Sequence, residues 1–342
     1  MSLEKRYYNP PFSYIYVEEG VREHPRTKRI LQHFPKARII EIHHYKDVFC
    51  RRRQNSSLQN QAPMLILAEK KGRLVYEGAP VCQSFGNAYF YYTSCVMNCL
   101  YNCEYCYLKG MYPSGNIVIF VNLEDIFQEV EGILQKHSVY LCVSYDTDLM
   151  ALEDVTGFVE EWLAFAARQE NLKIEIRTNC GRTDLWKKFP PQENVIFAFT
   201  LSPSGVVKQY EHRTSSLAQR VVCAKKAMEK GFPVRLCFDP VIYCPAWRIQ
   251  YQEMLDQVIQ TLDGKSLLDV SVGSFRISQD YLKTLRRKMP YSAVVQFPFE
   301  NQGGVYQYPE RLMQEMEDMV VKRLREWLPE EKIFQWNREE RI

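Results

Sequence analysis

Cys99-Leu100-Tyr101-Asn102-Cys103-Glu104-Tyr105-Cys106 sets three thiols at C-x3-C-x2-C, at the point where short apolar runs begin to alternate with amphipathic ones. The run just before it, 88–93, reads as a strand. Further strands are expected at 139–144, 172–178, 195–201, 233–238 and 270–277, all rich in β-branched and aromatic residues. Helical patterns fill the gaps at 123–135, 155–169, 183–188, 215–229, 251–262 and 279–288. Strands alternating with helices imply parallel pairing through right-handed crossovers. Roughly six such units predict an α/β fold of partial (β/α)6 barrel type rather than a complete eight-fold barrel. A doubly wound sheet would carry Gly-x-Gly-x-x-Gly after its first strand, and the chain has none there.

The flanks read differently. Residues 1–85 are expected to form an N-terminal extension, with a helix at 27–33, a strand at 37–42, a polar loop at 51–60 and a hairpin from 64–69 and 73–77. Residues 86–290 carry the barrel. Residues 291–342 form a tail: a hairpin at 296–308 turning on Gly303-Gly304, a helix at 309–327 and a last strand at 332–336.

At 342 residues, with 25% charged and 46% hydrophobic residues, the chain can bury a full core, which argues against long-range disorder. No apolar run approaches the roughly 18 residues of a membrane span. The first residues, Met-Ser-Leu-Glu-Lys-Arg-Tyr-Tyr, lack the apolar stretch of a secretion signal, so a cytoplasmic protein is expected. In that setting eleven cysteines are not a disulfide framework. A net charge of +3 permits a nucleic-acid partner without requiring one.

Four cysteines within a dozen residues (Cys95, Cys99, Cys103, Cys106) point to metal. Structural zinc with Cys95 as fourth ligand would pair C-x2-C knuckles across a longer loop, and only one such knuckle exists. A two-cluster ferredoxin would need a second cysteine run. In a β/α barrel the reacting groups stand at the C-terminal strand ends. Those ends offer Cys142 and Ser144 on one side by period two, then Arg177-Thr178-Asn179, Thr200 with Ser202, Asp239 and Arg276.

The cysteine pattern, with Tyr105 before its last member, resembles the signature of radical S-adenosylmethionine enzymes. More closely, the chain resembles the spore photoproduct lyases from about residue 22 onward. The resemblance rests on the cysteine motif followed by Tyr107-Leu108, on Cys142 ending the next strand, on Leu152-Glu153 and Thr214-Ser215-Ser216, on the Asp239–Tyr243 stretch and on Tyr306-Gln307-Tyr308-Pro309. It implies that Cys99, Cys103 and Cys106 hold a 4Fe–4S cluster, leaving one iron open to S-adenosylmethionine. It further implies that Cys142 is a hydrogen donor, that Tyr105 and Tyr107 belong to a radical relay, and that Ser144 lies near the S-adenosylmethionine. Asn179, Thr200, Ser202 and Asp239 are grouped with Ser144 as cofactor contacts. Asn179 takes the place of a lysine, and Thr200 and Asp239 take the places of Ser and Ala.

The implied activity is a DNA-repair lyase that reverts the spore photoproduct thymine dimer through a 5′-deoxyadenosyl radical. Its expected partners are duplex DNA with a thymine lesion and a reductant protein such as flavodoxin or ferredoxin, with the enzyme itself a monomer. One feature favours an alternative. The C-terminal hairpin of this family is rich in basic residues, whereas 296–308 has none, and phosphate neutralisation dominates DNA affinity. The alternative is a lyase-like radical enzyme acting on another nucleobase or a small molecule; a non-catalytic iron–sulfur or zinc protein is the third reading. If DNA binds, phosphate contacts are expected from Arg276 and from Arg286, Arg287 and Lys288.

Overall fold

The computed structural model describes residues 12–78 and 82–335. Among the described residues two compact units interleave along the chain: 12–77, 89–100 and 108–174 make one, and 78, 82–88, 101–107 and 175–335 the other.

In the first unit Leu65–Ala68 is buried over its whole length. It lies parallel to Tyr14–Glu18 on one side and Ile117–Phe120 on the other. Arg38–Ile42 extends that sheet beyond Tyr14–Glu18. A fully buried apolar strand needs neighbours on both sides, so the expected hairpin of 64–69 with 73–77 does not form. Val75–Glu77 pairs instead, antiparallel, with Phe90–Thr93, which runs parallel to Val139–Cys142. The core of this unit packs Phe127 against Trp162 and Phe165, at ring separations of 4.8 and 4.3 Å.

Two local departures have clear causes. The loop expected at 51–60 contains the helix Ser56–Gln61, started by Asn55, whose side chain accepts from the Leu58 N–H. The helix expected at 155–169 is two helices, Leu149–Thr156 and Phe158–Ala166, divided at Gly157 with φ +63°. Buried Glu153 accepts from the N–H groups of Val159 and Glu160, satisfying donors that the break leaves open.

In the second unit Val195–Thr200, Val234–Val241, Asp269–Ser274 and Ile333–Gln335 lie side by side in chain order and parallel at each pairing. Leu172–Thr178, which crosses into this unit after Ile174, neighbours Val195–Thr200. This succession never reverses, as the barrel-type order requires and a doubly wound sheet would not. Its helices include Leu217–Lys230, opened by a Ser216/Gln219 capping box and closed by Gly231 at φ +94°. Trp186 packs edge-on against Phe197 at 4.8 Å, with Phe232 beside it. Buried Arg235 ion-pairs with Asp269 and Glu175, so these strands also share a satisfied charge.

The strand expected at 270–277 ends at Ser274, and Arg276–Ser278 belongs to a separate three-stranded sheet with Val305–Gln307 and Glu300–Gln302. The hairpin turns on Gly303 and Gly304, both at positive φ, as expected. The helix Glu310–Arg325 and the strand Ile333–Gln335 complete the tail. Trp336, and the first eight residues used to judge a leader, lie outside the described residues.

Candidate active site

The segment 101–107 is anchored by backbone and side chain alike. Asn102-Cys103 pairs antiparallel with Glu211-His212, the Glu104 N–H donates to the Tyr210 carbonyl at 2.8 Å, and the Glu104 carboxylate meets His212 Nε2 at 2.8 Å. Tyr105 turns inward, edge-on to Phe275 at 6.1 Å, and donates its hydroxyl hydrogen to Glu211. Burial, reinforced by the Glu211 carboxylate, pushes the Tyr105 phenol well above its ordinary pKa and keeps it protonated.

Glu211 also pairs with Arg220, whose side chain is fully buried. That guanidinium donates to Asn179 Oδ1 at 2.8 Å, the Thr200 carbonyl at 3.1 Å and Thr214 Oγ1 at 2.7 Å. One cation therefore joins two strand ends to the loop through Glu211 and Tyr105. Sequence reading missed both members of this pair. Arg220 sits on the apolar stripe Leu217, Arg220, Val221, Ala224 of its helix, and a charge on a core stripe was the available signal.

Other strand ends of the same unit hold the remaining expected residues. Ser202 is fully buried, and its hydroxyl has no hydrogen-bond partner among the described residues. Asp239 faces Arg276 at 3.6 Å. A side chain on Gly273 would press within 3.0 Å of Arg276 Nη1, so glycine there admits the arginine. Arg286 donates to the carbonyls of Val295 and Phe297 at 3.2 and 2.7 Å, whereas Arg287 is exposed and donates to Thr284 at 3.4 Å.

In the first unit Cys142 and Ser144 are both buried. Cys142 lies in register with Tyr92, whose ring stacks on Tyr145 at 4.3 Å. Ser144 bridges Ser94. Ser94 and Tyr112 both donate to Asp146 Oδ2, at 2.5 and 2.8 Å, and Lys70 Nζ donates to the Ser94 carbonyl. A buried carboxylate thus fixes the chain just beyond Cys142. Asp146, Tyr112 and Lys70 are distant in sequence, and no motif announced them.

Among the described residues no three His, Cys, Asp or Glu side chains form a ready-made metal-binding group. The fit to an iron–sulfur cluster rests on donor chemistry. Thiolates ligate iron, and Cys99, Cys103 and Cys106 are half-buried on one short segment, whereas Cys95, Cys142, Cys180, Cys223, Cys237 and Cys244 are buried. Cys95 is buried with its thiol turned to the Val143 carbonyl, and burial pushes that thiol up to about 12.

Parallel strands with polar side chains at their ends, together with a three-cysteine loop anchored through a buried arginine, make an α/β arrangement of the kind whose sites lie at strand ends. The chain belongs to the spore photoproduct lyase family, whose model matches residues 11–336. It is accordingly an enzyme of the lyase class. The spore photoproduct lyase of Clostridium acetobutylicum is 25% identical over 244 residues, 67% of this chain and 71% of the relative. That of Bacillus subtilis (strain 168) is 20% identical over 164 residues, 47% and 48% of the two chains. A spore photoproduct lyase complexed with dinucleoside spore photoproduct superposes with TM-score 0.79 at 16% identity, covering 95% of this chain and 98% of the other. A variant with bound AdoMet and dinucleoside spore photoproduct does so with TM-score 0.80 at 17% identity and the same coverage. At such identities the superpositions speak for the fold. Among the described residues no helix is long and apolar enough to cross a membrane.

Proposed function

We propose that this protein reverts the spore photoproduct thymine dimer in DNA to two thymines, as a carbon–carbon lyase of the radical S-adenosylmethionine type. The observation that carries the reading is the set of three half-buried thiols, Cys99, Cys103 and Cys106, together on one short segment, whereas the other accessible thiols, Cys50 and Cys82, stand apart in sequence and six cysteines are buried. These three would hold the 4Fe–4S cluster, which when bound supplies the electron that cleaves S-adenosylmethionine to an abstracting 5′-deoxyadenosyl radical. Ser144, Asn179, Thr200, Ser202 and Asp239 would hold the S-adenosylmethionine, and the orphaned Ser202 hydroxyl supports a polar ligand at its strand end.

Cys142 gives a hydrogen atom to the thymine radical left after the bridging bond breaks, and becomes a thiyl. Tyr105 and Tyr107 refill it by hydrogen-atom transfer. A buried, protonated phenol such as Tyr105 retains the hydrogen that this transfer requires. The damaged base must leave the duplex stack to be reached, and a lesion lowers that cost.

The proposal includes a flavodoxin or ferredoxin as reductant, a monomeric state, a cytoplasmic setting and the division at residues 85 and 290. Its test is anaerobic reconstitution followed by electron paramagnetic resonance, then incubation with dithionite, S-adenosylmethionine and DNA carrying the photoproduct. Thymine release is expected; a colourless protein holding one zinc ion would end the radical reading.

A second reading keeps the radical chemistry and changes the substrate. It is favoured by the hairpin Glu300–Gln307, which has no cation, and by Arg276 and Arg286 being engaged inside the fold. Cleavage of S-adenosylmethionine that does not respond to the photoproduct would select it.

A further inference from the structure

Arg51-Arg52-Arg53 is a run of three consecutive cations that the chemistry described above leaves unused. It lies between the helices Lys46–Phe49 and Ser56–Gln61, wholly within the first unit. All three arginines are exposed, and among the described residues none of their side chains makes a hydrogen bond or an ion pair. Arg22, Arg26 and Arg29 of the same unit each reach a carboxylate instead. Residues 46–53 carry four cations against one carboxylate, Asp47, which accepts from the His44 N–H at 3.1 Å. Adjacent like charges without a counter-charge make a positive surface that the fold itself does not neutralise. Arg53 has φ +57°, a conformation that glycine adopts at less cost, so a cation stands where the backbone alone favours none.

The turn is braced toward the strand end that carries Cys142. Gln54 donates to the Phe49 carbonyl at 2.7 Å and accepts from Gln59 at 2.9 Å. Gln59 in turn accepts from the Gly115 N–H at 2.9 Å. A side chain on Gly115 would come within 2.6 Å of the Ser56 carbonyl, so glycine there lets the loop close on the helix. Phe49 packs edge-on to Tyr112 at 5.4 Å, and the Tyr112 hydroxyl holds Asp146, just beyond Cys142.

We infer that the Arg51-Arg52-Arg53 turn binds phosphodiesters of the DNA strand beside the lesion, in place of the basic hairpin that the chain lacks. The inference rests on the proposed DNA substrate. A guanidinium presents a planar fork of N–H donors that matches a phosphate, and successive phosphates along a strand match successive arginines. An acidic protein reductant is the other polyanion that could meet such a turn. Its electrons are bound for the cysteine cluster, whereas the bracing leads to Cys142, where the thymine radical must sit to receive its hydrogen.

The test uses the full-length protein and the variants Arg51→Gln, Arg52→Gln, Arg53→Gly and the triple; glycine at 53 removes the charge and suits the turn. Two probes separate the phosphate from the base: dinucleoside photoproduct, which carries no phosphate, and a duplex oligonucleotide with the same lesion. In the triple variant, affinity for the dinucleoside is expected to stay within twofold of wild type. Affinity for the duplex is expected to fall, with its salt slope reduced by about 2.7, at about 0.9 for each phosphate that is no longer neutralised. A triple lysine variant, which keeps the charges, should restore the slope. Equal losses for both probes, an unchanged duplex slope, or a lysine variant as weak as the neutral one each overturn the assignment. Slower reduction of the cluster by a flavodoxin with unchanged duplex binding also overturns it, and makes the turn a reductant face. If wild type binds duplex through these arginines yet releases no thymine from the photoproduct, the phosphodiester site stands while the repair reading falls. No measurable duplex affinity in wild type overturns the site.

Discussion

The hydroxyl of Tyr105 donates to Glu211 across 2.5 Å, and the other carboxylate oxygen of Glu211 takes the guanidinium of Arg220. Phenol, carboxylate and guanidinium are all buried. Removing one partner of a buried ion pair strands the other, typically at ~3–5 kcal/mol. Arg220→Met is therefore expected to lower unfolding stability by about that amount in urea titration. The double variant Arg220→Met/Glu211→Leu should recover part of the loss, because no charge is then left unpaired. A single variant as stable as wild type would show that the pair does not hold the loop.

The cysteine loop supplies a second prediction. Replacing Cys99, Cys103 or Cys106 by Ala should each abolish stable cluster assembly, read as loss of the charge-transfer absorbance and the paramagnetic signal. Cys95→Ala should retain both, since its thiol is buried and turned to the Val143 carbonyl. The opposite pattern would mean that the ligands have been misassigned.

Much of this architecture was legible in the chain because periodicity and turn chemistry are local. The strand Leu172–Thr178 and the helix Gln279–Lys288 fall where their patterns put them, and Gly303-Gly304 turns the hairpin. What failed was non-local. Leu65–Ala68 and Val75–Glu77 look like hairpin arms, yet their partners come from residues 14–18, 117–120 and 90–93. Gly157 sits inside a helical pattern whose break is satisfied by Glu153. The motif residues of the site could be named from sequence, but the groups that fix them could not. Arg220 reaches back 41 residues to Asn179, and Tyr112 reaches 34 residues forward to Asp146.

Thiol reactivity should follow burial. The thiolate is the nucleophile, and an ordinary accessible thiol, with pKa about 8.5, gains reactivity as pH rises from 7 to 9. Burial holds Cys95 up to about 12, and Cys237 and Cys244 up to about 11, so these stay protonated throughout that range. Iodoacetamide labelling of the metal-free protein, followed by peptide mass mapping, should find Cys99, Cys103 and Cys106 modified and these three spared at both pH values. A steep rise in Cys95 labelling between pH 7 and 9 would contradict its packing role.

Cys142→Ala separates hydrogen donation from radical generation. The variant leaves Cys99, Cys103 and Cys106 intact, so cleavage of S-adenosylmethionine should persist. The thymine radical then lacks its hydrogen source, and thymine adducts should replace part of the thymine product in chromatography of the reaction. Loss of cleavage itself would mean that Cys142 supports the cofactor site instead.

Arg286 and Arg287 are adjacent on one helix yet face different environments, so the same change should affect them differently. Arg286 bonds the carbonyls of Val295 and Phe297 and lies over the Tyr306 ring at 5.8 Å. Arg286→Gln removes charge-assisted bonds worth about 1.5–3 kcal/mol each, partly replaced by water. A fall in unfolding stability of about 1–2 kcal/mol is expected. Arg287 is exposed, with a single long contact to Thr284. Arg287→Gln should leave stability within about ±0.5 kcal/mol. If the helix meets the duplex, it should also lower the salt slope of DNA binding by about 0.9. Melting curves and salt titrations of the two single variants distinguish the roles. If Arg286→Gln flattens the salt slope without touching stability, its guanidinium leaves the carbonyls for phosphate when DNA binds.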